Sequence, residues 1–237
     1  MPDGSFVKAV ADLARPTTVE VDQRSYSTVP LTPIADPTAL PLRFCSLTGF
    51  VDYILAGPDS KIAQANAVHV ESAQMVQLIS PVAGAFRKRE SLAFAEPPAG
   101  RFKFEMFLPQ EQFVIALQAL FVQTPVRDQV LGLVSSMTAE EIRTQSDNGI
   151  AQEVTARAGT HLLDRVTLPN PVILAPYRTF REVKQPESAF ILRARKGAGG
   201  VLELALFEAD GGAWELAAMD NVAARLRAKL PNFQVLA

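Results

Sequence analysis

Residues 170–214, NPVILAPYRTFREVKQPESAFILRARKGAGGVLELALFEADGGAW, constrain this chain more than any other stretch. They hold three β-type runs, two glycine turns and the sole tryptophan, Trp214. AFILRARK and VLELALFEA flank Gly197-Ala198-Gly199-Gly200, which is the pattern of two antiparallel strands joined by a tight turn. Asp210-Gly211-Gly212 marks a further turn, since Asp beside Gly favours reversal of the chain. Pro169, Pro171 and Pro176 interrupt VTLPNPVILAPYRTF, so that run is a short strand or an edge strand. Met219, Val222, Leu226 and Leu230 then space a final helix, and NFQVLA ends as a strand.

Upstream, Phe6, Val7, Val10 and Leu13 share a helical stripe that Arg15-Pro16 stops. Val19 and Val21 alternate with acids, as in a half-exposed strand. Pro30, Pro33, Pro37 and Pro41 fall within twelve residues and impose an extended arm. SLTGFVDYILAG is a short helix stopped by Gly57-Pro58. Residues 67–107 read as a long antiparallel hairpin. Val68 and Val70 alternate with polar residues, as do Phe102, Phe104 and Met106 after the loop EPPAG. A central helix is expected over 109–137, with Phe113, Leu117, Leu120 and Phe121 at core spacing. Thr124-Pro125 either caps a second helix or kinks the first. If continuous it would be roughly 40 Å long at about 1.5 Å per residue. Asn148-Gly149 is a hairpin signal. The fold class is therefore α+β: antiparallel hairpins with a long central helix. The expected division is an N-terminal helix and proline-rich arm over 1–45 and a single α+β domain over 46–237, β-rich from 139 onward.

Charge excludes little. The chain carries 23 basic and 25 acidic residues among 237, a net charge of −2, without the basic surplus of a protein living on phosphate backbones. Cys45 is the sole cysteine, so there is no internal disulfide and no cysteine metal cage. Nothing approaches eighteen uninterrupted apolar residues, and the expectation is a soluble intracellular protein without membrane partners.

A search for chemistry finds no dinucleotide fingerprint, phosphate loop, zinc-protease helix or serine elbow. His69 and His161 lack partners at metal-ligand spacing. Glu208 and Asp210, two apart, are the nearest approach to a cation site, and a metal-dependent hydrolase built on them is the least favoured class. No catalytic residue, metal ligand or cofactor is expected. Arg87, Lys88 and Arg89, with Arg178 and Arg181, are the candidate contacts to nucleic acid or to another subunit. Arg193 and Arg195 form a further basic pair, suited to an intersubunit salt bridge.

SDNGIAQEVTARAG, NPVILAPYRTFREVKQPESAFILR and LFEADGGAWELAAMDNVAARL together resemble an uncharacterised family of tailed-phage and prophage proteins. The similarity covers most of the chain after about residue 25 and is densest at Asp147–Gln152, Tyr177–Pro186 and Phe207–Trp214. That family has no established catalytic residues. The resemblance implies a phage or prophage origin and a place in the bacterial cytoplasm or in a virion, not a mechanism.

The order of elements also resembles the HK97-type capsid and encapsulin shell fold. There an extended arm and a long hairpin reach neighbouring subunits and a spine helix follows. Residues 16–43, 67–107 and 109–137 would fill those roles. The implied function is a non-enzymatic, self-assembling subunit that partners copies of itself. The other readings are a nucleic-acid-associated accessory factor in phage replication or recombination, and an anti-defence binding protein.

Overall fold

The fold is given by a computed structural model, which describes residues 4–13, 15–21, 24–28, 39–83, 87–98, 100, 102–137, 153–158, 161–167 and 170–237. The chain divides into two compact units, Met1–Ala39 and Leu40–Ala237.

The first unit holds α1 (Gly4–Leu13), β1 (Thr18–Val21) and β2 (Arg24–Ser27). The two strands pair antiparallel, Val19 opposite Tyr26, and Thr28 Oγ1 accepts from Thr17 N at 3.1 Å to close their base. Every residue of β1 is exposed, so the strand expected there to be half-exposed buries neither face. Pro30, Pro33 and Pro37 of the arm lie outside the described residues.

The second unit is α+β, with its strands in two main sheets. β3 (Leu42–Phe44) leads into α2 (Leu47–Ala56), and the meander β4 (Ala67–Ser72), β5 (Met75–Ile79), β6 (Ser91–Ala95) follows. Next come β7 (Leu108–Pro109), α3 (Gln110–Leu120) and α4 (Pro125–Ser136). The hairpin β8 (Glu153–Ala158) and β9 (His161–Thr167) precedes β10 (Val172–Leu174), β11 (Ser188–Lys196) and β12 (Leu202–Glu208). α5 (Ala213–Lys229) and β13 (Gln234–Leu236) complete the described elements.

One sheet has the order β13-β4-β5-β6-β3, an antiparallel meander with a parallel strand added at each edge. α2 covers it because Leu47, Phe50, Val51 and Ile54 fall on one stripe, and all four are buried. Both ends of α2 are locally specified: Ser46 Oγ accepts from Gly49 N at 3.1 Å. Gly57 takes the left-handed conformation (φ 56°) that a side chain disfavours. Val222, Ala223 and Leu226 of α5 join the same core, together with Phe180 and Val183.

The other sheet has the order β10-β11-β12-β7 and is antiparallel throughout. Alternation buries Phe190, Leu192 and Ala194 from β11, and β12 buries Leu202 and the run Leu204, Ala205 and Leu206. α3 and α4 supply Phe113, Leu117, Val130 and Val134 to that core. The expected GAGG turn joins β11 to β12, with Gly199 and Gly200 at φ 69° and 79°. β10 is three residues long and sits at the edge, as its flanking prolines require. The two cores interleave along the chain: the first draws on residues 47–95 and 180–230, the second on residues 102–137 and 172–206.

Two expectations are corrected. The helix over 109–137 is not continuous: α3 ends at Leu120, the chain is extended at Phe121, and α4 starts at Pro125. Thr124 caps the second helix, its Oγ1 accepting from Arg127 N at 3.1 Å, and Pro125 takes the first helical position, where its missing N–H is harmless. Thr124→Ala is expected to cost about 1 kcal/mol, and Thr124→Ser to restore most of it, in urea-unfolding midpoints. Equal midpoints for wild type and alanine variant would show that the break is set by packing alone. The hairpin expected to reach residue 107 ends at Ala95. The segment 102–107 is not a strand. Its turn has Glu105 at φ 59° and delivers Phe102 and Phe104 to the α3–α4 core. Asn148-Gly149 lies outside the described residues; the strand beyond it, β8, pairs forward with β9.

Candidate functional site

Residues 175–187 run between the two cores, and their side chains make a buried polar network. The segment begins pinned to the end of α3: Val122 N donates to Ala175 O at 2.9 Å and Tyr177 N to Leu120 O at 2.8 Å. Gln185, 5% exposed, closes the loop. Its Oε1 accepts from Arg178 N at 3.2 Å and Thr179 N at 3.3 Å, and its Nε2 donates to Phe180 O at 2.8 Å and Val183 O at 3.1 Å. The loop is tied to the β4–β5 turn by Gln74 Nε2, which donates to Arg178 O at 2.9 Å, and by Thr179 Oγ1, which donates to Ala73 O. All the backbone groups named find partners, as buried amides must.

Arg178 lies at the centre, its side chain 4% exposed. Nη1 donates to Glu208 Oε1 at 2.5 Å and Nη2 to Ser188 Oγ. The guanidinium stands 4.1 Å from the Trp214 ring centroid and 5.5 Å from those of Phe104 and Phe190. A planar, weakly hydrated cation is the one charged group that stacks on aromatic faces while donating in its own plane. Burial pushes the Arg178 pKa down, opposed by Glu208, Asp210 and Glu215. An arginine starts so high that it stays charged. At Asp210 burial works to raise the pKa, but the Ser188 hydroxyl, the Gly212 amide and Arg178 outweigh it and hold the carboxyl below its ordinary value. Gly212 N donates to Asp210 Oδ1 at 3.1 Å.

This arrangement is a structural ion pair, not an acid–base couple. Glu208 is engaged by Arg178, and a cation at Glu208 and Asp210 would have to displace the guanidinium. Among the described residues no group of three or more His, Cys, Asp and Glu is placed to hold a metal.

Of the five candidate contact residues, the structure brings Arg87, Lys88 and Arg89 together and exposed, on the turn between β5 and β6. Arg181 is exposed, its guanidinium 5.0 Å from the Tyr177 ring centroid. Arg178 is buried and does not join Arg181 on a surface, because the inward register claims it. Arg195 is held within the chain by Glu203 at 2.8 Å and by the Phe107 ring at 3.9 Å, which accounts for it without a second subunit. His69 is half-buried in β4, and Cys45 is exposed. Among the described residues, a cleft of about 300 Å³ between α4 and β10 is lined by Val126, Val130, Leu133 and Ile173, and another of about 210 Å³ lies between α2 and α5.

Sequence reasoning missed Arg178 and Gln185 as buried polar anchors, although a signal was present. Ser188 begins the inward series that continues as Phe190, Leu192 and Ala194, and Glu208, though exposed at the strand end, shares the alternation of Leu202, Leu204 and Leu206. Phe190 and Glu208 are direct cross-strand partners. An acid at that parity, at the rim of the core, asks for a cation beside it.

No helix among the described residues is long and apolar enough to cross a membrane. No family model, curated protein or solved structure matches the chain.

Proposed function

We propose that the protein is a non-enzymatic, self-associating α+β protein of phage or prophage origin, a shell-like subunit acting in the bacterial cytoplasm or within a virion. The observation that carries this reading is the apolar surface of the unit Met1–Ala39. Phe6, Val7 and Val10 of α1 are 62%, 57% and 50% exposed, and Val19, Val21 and Tyr26 of the β1–β2 hairpin 49%, 51% and 53%. A ten-residue helix and a lone two-stranded hairpin are each marginal in water without a surface to pack on. A neighbouring copy supplies such a surface in a self-assembling protein. The resemblance to phage and prophage proteins supports the same reading.

Light scattering after size-exclusion chromatography, with negative-stain microscopy, tests it. Rings or closed particles are expected for the wild-type chain, and Val7→Glu with Val10→Glu is expected to shift the population to monomers while far-UV circular dichroism changes little. A compact monomer at every concentration overturns the proposal.

A further inference from the structure

α2 and α5 pack on one core, and the cleft of about 210 Å³ between them combines an apolar floor with separated charges. Leu47, Val51 and Leu55 recur every four residues along α2 and so line the cleft as one stripe. Leu47 and Val51 are buried, whereas Leu55, near the end of the helix, is 61% exposed. Thr48 closes one end: its Oγ1 accepts from Arg225 Nη2 at 3.4 Å and its N donates to Glu182 Oε1 at 3.3 Å. One turn further along each helix stand Asp52 and Lys229, both exposed and both lining the same cleft. Neither has a hydrogen bond or ion pair with any described residue. Opposite charges within about 4 Å would pair; here the cleft holds them apart.

We infer that this cleft binds one free α-amino acid with an aliphatic side chain. Its ammonium lies on Asp52, its carboxylate on Lys229, and its side chain on Leu47, Val51 and Leu55. An α-amino acid carries an ammonium, a carboxylate and a side chain on a single carbon, which is the combination that the two unpaired charges and the apolar stripe present. A simple anion would leave Asp52 unmatched, and a simple cation would leave Lys229 unmatched. Arg225 and Glu182 offset one another at the Thr48 end, so Asp52 and Lys229 decide which ligand is taken. The cleft is smaller than the about 300–1,000 Å³ typical of sites for drug-sized molecules, which suits a single small metabolite. The inference stands whether the chain acts alone or assembled.

Isothermal titration calorimetry of the full-length chain with L-leucine tests it. Saturable binding with a Kd of about 1 mM or tighter is expected. Isocaproate lacks the ammonium, isoamylamine lacks the carboxylate and glycine lacks the side chain, and each is expected to bind roughly tenfold more weakly or worse. Asp52→Asn and Lys229→Gln are each expected to weaken L-leucine by about tenfold, with the fold kept because both side chains are exposed. Lys184→Gln, at an exposed position outside the cleft, is expected to leave binding unaltered. No saturable heat with L-leucine, weakening by only one of the two cleft variants, or equal binding of any of the three analogues overturns the inference. Loss of self-association in Asp52→Asn or Lys229→Gln, with no L-leucine bound by the wild-type chain, gives the cleft to a contact between copies and also overturns it.

Discussion

Arg178→Met is expected to lower the unfolding free energy by about 3 kcal/mol. Removing one partner of a buried ion pair typically costs about 3–5 kcal/mol, because the other is left without compensation. Glu208 retains 32% side-chain exposure and can regain water, which places the loss at the lower end. Met fills much of the same space, so the effect reports charge and stacking rather than a cavity. Arg178→Lys keeps the charge but not the planar fork between Trp214 and the phenylalanine rings, and an intermediate loss is expected. Urea unfolding followed by Trp214 fluorescence and far-UV circular dichroism measures both. Trp214, with the guanidinium 4.1 Å from its ring centroid, reads the site itself. A midpoint shift worth less than about 0.5 kcal/mol, the range of ordinary surface substitutions, would mean that the ion pair does not hold the two cores together.

Phe190→Ala should cost more, about 4 kcal/mol, the middle of the range for emptying a buried aromatic site. Phe190 is fully buried, stacks on Phe104 at 5.1 Å with the ring planes 7° apart, and meets Phe121 edge-on at 6.4 Å. It also forms one face of the Arg178 cage. The neighbouring Ile191 is half-buried on the opposite face of β11, and Ile191→Ala is expected to cost only about 1 kcal/mol. Similar losses for the two would mean that the strand register is wrong by one residue. Since Phe190 and Arg178 touch, the double variant should lose less than the sum of the singles, and strict additivity would separate the cage from the aromatic core.

Local chemistry made much of this fold readable in advance. Glycines with positive φ closed β11 onto β12, Ser46 and Gly57 bounded α2, and prolines kept β10 short at its edge. The errors came where two local rules competed. From Pro109 to Met137 the apolar stripe favoured one helix, while Thr124-Pro125 favoured a fresh start; cap and proline together won. Phe102, Phe104 and Met106 alternate as a strand would, yet the first two are drawn to Phe113, Phe121 and Phe190, and aromatic packing overrode period-2 propensity. The Arg178 network was the hardest to foresee. Its partners Ser188 and Glu208 lie 10 and 30 residues away, and only the pairing of β11 with β12 brings both acceptors to one guanidinium. The basic run at 87–89 was legible as charge; the backbone pairings of Ser80 with Glu90 and of Ala83 with Lys88 were not.

The interleaving of the two cores bears on how the chain reaches its fold. Val235 pairs with Val68 and Leu204 with Leu108, so neither sheet can close from one contiguous stretch. Contacts that distant must offset the entropy of closing long loops before they return any stabilisation, which slows folding. Synthesis of the first half of the chain yields four of the five strands of one sheet and only β7 of the other, an incomplete state with apolar faces uncovered that is prone to misassociation until residues 180–230 arrive. The same threading makes each core depend on the other. Leu40–Ala237 is therefore expected to unfold in one cooperative step, with no intermediate in which a single sheet survives.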